Sequence, residues 1–388
     1  MEEPTSKKEK VINNNINIPY DVALSILSRL PVKSLKRFGC VHTSWSNLIE
    51  NPKFLSMYLQ NWSSKDDDGS PILLWQQVPE GLPNLLLISG ERFEKKVKFD
   101  WPPPCLEEDV EFITILDYCD NGTIGLIRSK GSYGDENVVL WNPITKEFRV
   151  IPSRLSQVQG TSFSFMVHTP GFWYDNVNDD YKLLQHAACF LDDLKETKYF
   201  WQIYSLKSNS WKKLDLDTIC ASKICKPMGP MVNLNGSLHW WGTKHHDIAT
   251  KEDLLISFDK SNEMFHITPI DCPTNSYYVN RYLAVFNGSI AVISNYFKTN
   301  ILDISILGEI AVKESWTKLL TITPLPCFEL PIFVGNKGII FFIKEDGELG
   351  CFDFRTQLSK EIGIRGVNYN SKILIYSESF VPFEGIKY

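Results

Sequence analysis

Residues 235–270 read NGSLHWWGTKHHDIATKEDLLISFDKSNEMFHITPI, and the fold is decided there. Asn235-Gly236 is a favoured pair for a two-residue hairpin turn, because both positions need a positive φ that Asn and Gly tolerate. The run behind it, Leu238 to Trp241, is short and aromatic, as strands are. About 20 residues after the turn comes a strand, a polar turn and another strand, ISFDKSNEMFHITPI. A turn joining two strands and a second hairpin further on make four strands with no helix between them.

The unit recurs. Asn121-Gly122-Thr123-Ile124, Asn287-Gly288-Ser289-Ile290 and Asn336-Lys337-Gly338-Ile339 repeat the turn, and the starts at 235, 287 and 336 are about 50 residues apart. LWNPITKEFRVIP, IYSLKSNSWKKL, ILGEIAVKESWTKL and CFDFRTQLSKEI repeat the second hairpin. The interval from 121 to 235 holds two periods, with HTPGFWYDNVNDDYKLL inside it. Strand-like runs at Ile72–Trp75, Val138–Trp141, Gln202–Leu206, Leu254–Phe258, Ile290–Ser294, Ile339–Ile343 and Ile373–Tyr376 fit the same scheme. Residues 72–388 are therefore expected to form an all-β propeller of about six four-stranded blades. The period is loose enough to leave a stacked β-sandwich open. Ser371–Tyr376 lies beyond the last repeat and reads as the strand that joins the two ends of the array. Trp141, Trp201, Trp211, Trp240, Trp241 and Trp316 mostly recur with the repeat, which assigns them to packing, with one or two left to line a binding surface.

The N-terminal part has a different texture. Pro19 suits a first helical turn, Asp21 places negative charge near the helix start, and Ala23, Ile26, Leu27 and Leu30 make one apolar stripe. Pro31 ends this helix. A second carries Leu35 and Phe38, a third Val41, Trp45, Leu48 and Ile49, and a fourth short one Phe54, Leu55, Tyr58 and Leu59. Residues 1–15 are polar and expected to be disordered, 16–60 are the helical unit, and 61–71, with Asp66-Asp67-Asp68-Gly69-Ser70, are a linker. A unit of about 45 residues cannot bury all these apolar side chains within itself, so some must face another surface.

Composition excludes several classes. With 40 basic and 46 acidic residues among 388, the net charge is −6, and no concentrated basic surface calls for nucleic acid. The start lacks the apolar core of a signal peptide, and no apolar run is long enough to span a membrane. Nine scattered cysteines match no disulfide framework and suit reduced thiols in the cytosol or nucleus. Three of the four N-x-S/T sequons are Asn-Gly turns. No nucleophile elbow or phosphate-binding lysine loop occurs, and nothing calls for a cofactor. His245-His246-Asp247 with Cys220 and Cys225 matches no standard zinc spacing. His239, between Leu238 and Trp240, reads as a packed, hydrogen-bonded residue rather than a general base.

The run NIPYDVALSILSRLPVKSLKRFGCVHTSWSNLIENPKFLSMYL, residues 17–59, resembles the plant F-box motif over its whole length. The resemblance rests on Pro19, the Leu30-Pro31-Val32-Lys33-Ser34-Leu35 corner, Arg37-Phe38, Cys40-Val41 and Trp45. Ile18 stands where the family usually has Leu, and His42-Thr43 where Cys-Lys is common. The resemblance implies a three-helix fold that docks the Skp-type adaptor of an SCF (Skp–cullin–F-box) ubiquitin ligase. Pro19, Leu30, Pro31, Val32, Leu35 and Val41 would lie in that interface, and Trp45 would pack the helices together. LWNPITKEFRVIP, GFWYDNVNDDYKLL, IYSLKSNSWKKL, NGSLHWWG and ISFDKSNEMFHI resemble the F-box-associated, kelch-like domain of plant F-box proteins, which implies binding of a target protein without saying which. The expected function is a non-catalytic substrate adaptor, reaching a cullin through Skp. A kelch-like enzyme or small-molecule binder, and a scaffold without degradation, are the alternatives.

Overall fold

The computed structural model describes residues 19–28, the positions Leu30, Ser34, Arg37, Val41, Trp45 and Phe54, and residues 71–377 with interruptions at 91, 132–135, 154–162, 192–195, 215–227, 246–250, 271–278, 287, 297–300, 323–329, 336–337, 354–355, 357 and 369, together with Phe383. The chain divides into two compact units, Met1–Trp62 and Ser63–Tyr388.

The first unit opens with α1 (Tyr20–Leu27). Pro19 caps it rather than joining its first turn: ψ of 142° keeps Pro19 extended, while its carbonyl accepts the N–H groups of Val22 and Ala23 at 3.0 Å each. Asp21 lies in the first turn, where the N-terminal dipole favours it. The helix stops at Leu27, and the Ser28 hydroxyl donates to the Ser25 carbonyl at 3.1 Å. Ala23, Leu24 and Leu27 are buried. Ile26 departs from the expected apolar stripe: it is 51% exposed, because the buried face centres on Leu24 and Leu27 and one residue along a helix is a rotation of about 100°. Ser34, Arg37, Val41, Trp45 and Phe54 are helical. The remaining residues of the expected second, third and fourth helices, and the polar segment 1–15, lie outside the described residues.

In the second unit, β1 (Ile72–Gln76), β2 (Asn84–Ser89) and β3 (Lys95–Lys98) pair in order. A complete four-stranded sheet follows from β4 (Phe112–Asp120), β5 (Thr123–Ser129), β6 (Asn137–Trp141) and β7 (Phe148–Ile151). The next comprises β8 (Phe163–Asp175), β9 (Asp180–Leu191), β10 (Glu196–Ser205) and β11 (Ser210–Lys213). The fourth has β12 (Met228–Leu234), β13 (Ser237–His245), β14 (Lys251–Asp259) and β15 (Met264–Pro269). The fifth has β16 (Val279–Phe286), β17 (Ser289–Tyr296), β18 (Ile301–Leu307) and β19 (Trp316–Ile322). The sixth has β20 (Leu330–Gly335), β21 (Ile339–Ile343), β22 (Leu349–Asp353) and β23 (Leu358–Glu361). β24 (Lys372–Ile375) then returns to the first sheet and pairs antiparallel with β1, Leu374 opposite Leu73 and Ile373 opposite Leu74.

β24 lies beside β4 and β20, β4 beside β8 and β12, and β16 between β12 and β20, so the innermost strands ring one axis. The result is a six-bladed propeller, and the sandwich alternative is set aside. Its core lies between blades: Leu374, Tyr376, Leu73, Ile113 and Trp141 join the first and second blades, and Trp201, Trp240, Ile203 and Phe258 join the third and fourth.

The recurring turn is the link between the first and second strands of a blade. Asn121 and Gly122 have φ of 48° and 69°, and Asn235 and Gly236 of 49° and 78°, the left-handed pair that a twisted hairpin needs. The third-to-fourth hairpins use side-chain oxygens. Asn142 Oδ1 accepts the Ile144 and Thr145 N–H groups at 3.0 and 3.3 Å, and Asp259 Oδ1 those of Ser261 and Asn262 at 2.8 and 3.2 Å. In the outer layer, tryptophans tie blades together. Trp211 Nε1 donates to the Pro152 carbonyl at 3.0 Å and Trp316 Nε1 to the Pro269 carbonyl at 3.1 Å. Each bond runs from a fourth strand to the end of the fourth strand in the preceding blade.

Candidate functional surfaces

On the first unit, the apolar side chains of Tyr20, Val22, Ile26 and Val41 are exposed, Val41 to 73%. Val22 and Ile26 are one helical turn apart and share a face. Among the residues expected to contact an adaptor, Pro19 and Val41 are exposed and Leu30 is half-buried. Pro31, Val32 and Leu35 lie outside the described residues. Tyr20 and Val22 were not singled out by sequence; periodicity identifies a stripe but not which flank of it stays uncovered. Val22 and Ile26 therefore form an exposed apolar pair on α1.

In the propeller, strands alternate direction, so the first-to-second and third-to-fourth links share one face and the remaining links the other. The chain enters and leaves on the tight-turn face, where the Tyr376 N–H donates to the Pro71 carbonyl at 2.9 Å. The axis is filled from β4. Its ladder with β5 is interrupted between Ile115 and Cys119, as a bulge does when it re-aims side chains. Asp117 in that interruption accepts from Lys372 Nζ at 2.9 Å through Oδ1 and from the Met231 N–H at 3.3 Å through Oδ2, linking β24 to β12. Tyr118 stacks on Phe172 with ring centroids 5.4 Å apart. Gly171 suits this close approach: a Cβ would stand 2.0 Å from Met231 Cε and 2.7 Å from Tyr118 Cε1, so those side chains would have to shift to admit one.

Beside this plug, three ionisable groups depart from their ordinary range, each chiefly through burial. The Asp120 carboxyl is pushed up, against the pull of the Tyr174 N–H that donates to it at 2.8 Å. The Lys260 ammonium is pushed down, with Asp120 acting the other way; it donates to Asn233 Oδ1 at 2.9 Å. His239 is pushed down to about 4. Its Nε2 lies 3.3 Å from the Leu234 carbonyl, which can only accept, so Nδ1 is left to accept from the Ser257 hydroxyl at 2.8 Å. Perturbed groups in one region are a signature of chemistry, but each of these is engaged by a neighbour, and His239 is 1% exposed. The three groups form a hydrogen-bonded polar layer in which His239 is packed and bonded at both ring nitrogens. Among the described residues no cluster of three His, Cys, Asp or Glu is placed to hold a metal ion. His246, Asp247, Cys220 and Cys225 lie outside the described residues.

Trp201 and Trp240 are fully buried and pack at 5.2 Å between centroids, and Trp141 is buried in the core between the first two blades. Trp241 is half-buried with the Arg281 guanidinium over its ring at 5.6 Å, and Arg281 forms a buried ion pair with Asp253 across the fourth and fifth blades. The repeat tryptophans described therefore serve packing.

Comparison with known proteins agrees with this division. Residues 16–57 match the F-box domain and residues 85–381 the F-box associated beta propeller domain. An F-box/kelch-repeat protein of Arabidopsis thaliana is 27% identical over 351 residues, 87% of this chain and 88% of that protein. The F-box protein CPR1 of Arabidopsis thaliana is 26% identical over 321 residues, 79% of this chain and 73% of that protein. Among solved structures, hydrazine synthase of Kuenenia stuttgartiensis has a TM-score of 0.45 at 9% identity, over 81% of this chain and 47% of that one.

Proposed function

Because the chain belongs to the family of plant F-box proteins whose F-box is followed by an F-box-associated β-propeller, we propose that it is the substrate-recognition subunit of an SCF-type ubiquitin ligase. The observation that carries this reading is the pairing in one chain of an F-box match at 16–57 with a propeller match at 85–381.

The mechanism is tethering. The helical unit binds a Skp-type adaptor, and through it a cullin, by apolar contacts at Pro19, Leu30, Pro31, Val32, Leu35 and Val41. Val41 at 73% exposure supports this, since an apolar side chain left in water gains ~1.5–3 kcal/mol when a partner buries it. The propeller holds a target protein. Joining the two converts ubiquitin transfer onto the target from a bimolecular encounter into a local one, at an effective concentration of roughly millimolar. The acceleration is proximity and orientation, and no side chain of this chain takes part in bond making. Such a subunit works in the cytosol or nucleus. Affinity purification of the tagged chain with the proteasome inhibited tests the reading. Recovery of a Skp-type adaptor, a cullin and a ubiquitinated protein supports it, and recovery of none of the three under conditions that retain a known F-box protein's partners refutes it.

A further inference from the structure

On the propeller face opposite the tight turns, three neighbouring links carry an excess of acid. They are the turn 344–348 of the sixth blade with the crossing that follows β23, the loop 77–83 of the first blade, and the strap 99–111 that leads into the second. Hydrogen bonds make them one surface. Gln76 Nε2 donates to the Arg365 carbonyl at 2.9 Å, and Asn370 Nδ2 to Gln77 Oε1 at 3.4 Å, which ties the crossing to the first blade. Trp101 Nε1 donates to the Pro83 carbonyl at 2.9 Å, which ties the loop to the strap. The strap is fixed in turn to the second blade. Arg128 donates to the Pro104 carbonyl and pairs with Glu107 at 2.9 Å, and the Glu111 N–H donates to the Ser129 carbonyl at 3.0 Å.

The charge on this surface is not balanced. Residues 100–112, DWPPPCLEEDVEF, hold five carboxylates and no basic residue. Arg128 and Lys130 are taken up by Glu107 and Asp109. Glu80, Glu108 and Glu111 are exposed, and among the described residues no basic side chain pairs with them. Leu106, 57% exposed, and Phe112, 44% exposed, stand in the same strap.

Glu348 is the unusual member. Its side chain is only 7% exposed, yet its Oε2 lies 3.8 Å from both Lys344 Nζ and Arg365 Nε, too far for a hydrogen bond to either. Lys344 is held by Glu361 at 2.6 Å instead, and the Arg365 side chain is 80% exposed, which marks where Glu348 meets the surface. A carboxylate drawn this far out of water calls for donors, and none among the described residues reaches it. The geometry leaves Glu348 able to accept from outside.

We propose that this face binds a segment of the target protein that carries lysine and arginine, with Glu348 accepting from one cation and Leu106 and Phe112 covering an apolar residue near it. That the segment belongs to a target rests on the adaptor reading. The exposed carboxylates steer basic chains in and turn acidic ones away, and the buried carboxylate fixes the register.

The test uses the full chain and a fluorescent dodecapeptide repeating Lys-Arg-Leu, read by anisotropy beside one repeating Glu-Asp-Leu. The basic peptide is expected to bind and the acidic one not. The variant Glu80→Gln/Glu108→Gln/Glu111→Gln should weaken binding by roughly tenfold, from three exposed pairs lost. The variant Glu263→Gln/Glu309→Gln/Glu314→Gln changes the net charge equally on the tight-turn face and should stay within about twofold of the parent. Glu348→Gln keeps the side chain's shape and should weaken binding by on the order of tenfold. A parent chain that does not bind the basic peptide, equal losses in the two triple variants, or a Glu348→Gln chain that binds like the parent overturns the proposal. Hydrogen exchange of the parent chain covers the case in which a variant fails to fold. Saturating basic peptide should protect residues 78–82, 105–112 and 344–348, and protection confined to other segments overturns the proposal. These readouts make no use of a ligase, so failure to bind a Skp-type adaptor would refute the adaptor reading while leaving the acidic face standing.

Discussion

Removal of residues 366–388 takes away the strand that closes the ring. The deletion removes the β24–β1 ladder, in which Ile72, Leu73, Leu74 and Trp75 face Ile375, Leu374, Ile373 and Lys372. It also removes Val367, Ile373, Leu374, Tyr376 and Phe383, all under 5% exposed. At ~1.5–3 kcal/mol for each buried side chain, the loss is about 8–15 kcal/mol. Compact unfolded chains bury part of this surface already, so the lower end applies. That end already matches the ~5–15 kcal/mol by which whole domains are stable. β1 would be left as an open apolar edge, its five residues all buried in the intact ring, and such edges pair with other chains. The expected outcome in size-exclusion chromatography with light scattering is aggregate, with no cooperative transition in calorimetry. The milder Leu374→Ala should cost about 2–5 kcal/mol and lower Tm by on the order of 3–10 °C. A monodisperse, monomeric deletion variant with an unchanged Tm would refute closure by this strand.

Trp211→Phe and Trp316→Phe keep the ring but lose the indole donors to Pro152 and Pro269. Each should cost ~0.5–1.5 kcal/mol, and the double variant should show their sum, since the two bonds join different blades; calorimetry reads both. His239 sets a pH dependence. Its folded pKa is about 4, pushed down by burial, against ~6.5 when unfolded. Above ~6.5 neither state takes a proton, and below it the unfolded chain does while the native chain resists. Stability is therefore whole above pH ~6.5 and falls toward pH 4 by up to roughly 3 kcal/mol. His239→Gln cannot titrate, and denaturant midpoints measured from pH 7 to 4.5 should fall less steeply for it than for the parent.

Much of the propeller is legible because its turns need unusual backbone angles. Asn121-Gly122 and Asn235-Gly236 announce themselves because few other pairs accept φ above zero at both positions. The third blade is harder to read because its inner turn, Asn176–Asp179, relies on Asp175, whose Oδ1 accepts the Val177 and Asn178 N–H groups at 3.1 and 3.3 Å. β3, Lys-Lys-Val-Lys, carries no apolar alternation since all four residues are exposed at a sheet edge, where lysines suit the solvent and oppose edge pairing. The plug at Asp117 and the packing of Phe383 against the second and third blades are beyond sequence reading. Their partners lie 114 and 236 residues away, and no local period encodes such distances. Likewise the split of α1 into buried Leu24 and exposed Ile26 depends on what covers each flank, which a period of 3.6 leaves undetermined.

Adaptor binding by the helical unit is the step on which the proposed function depends. Isothermal titration of the full chain with a Skp-type adaptor, beside the variant Leu30→Asp/Val41→Asp, measures it. Val41 is 73% exposed and Leu30 half-buried, so the substitutions should leave the propeller's Tm unchanged, while two charges forced into a dry contact should abolish the interface. The expected result is a one-to-one complex for the parent chain and no measurable heat for the variant at the same Tm. A variant that binds the adaptor as tightly as the parent, or a parent chain that binds none, would contradict the account.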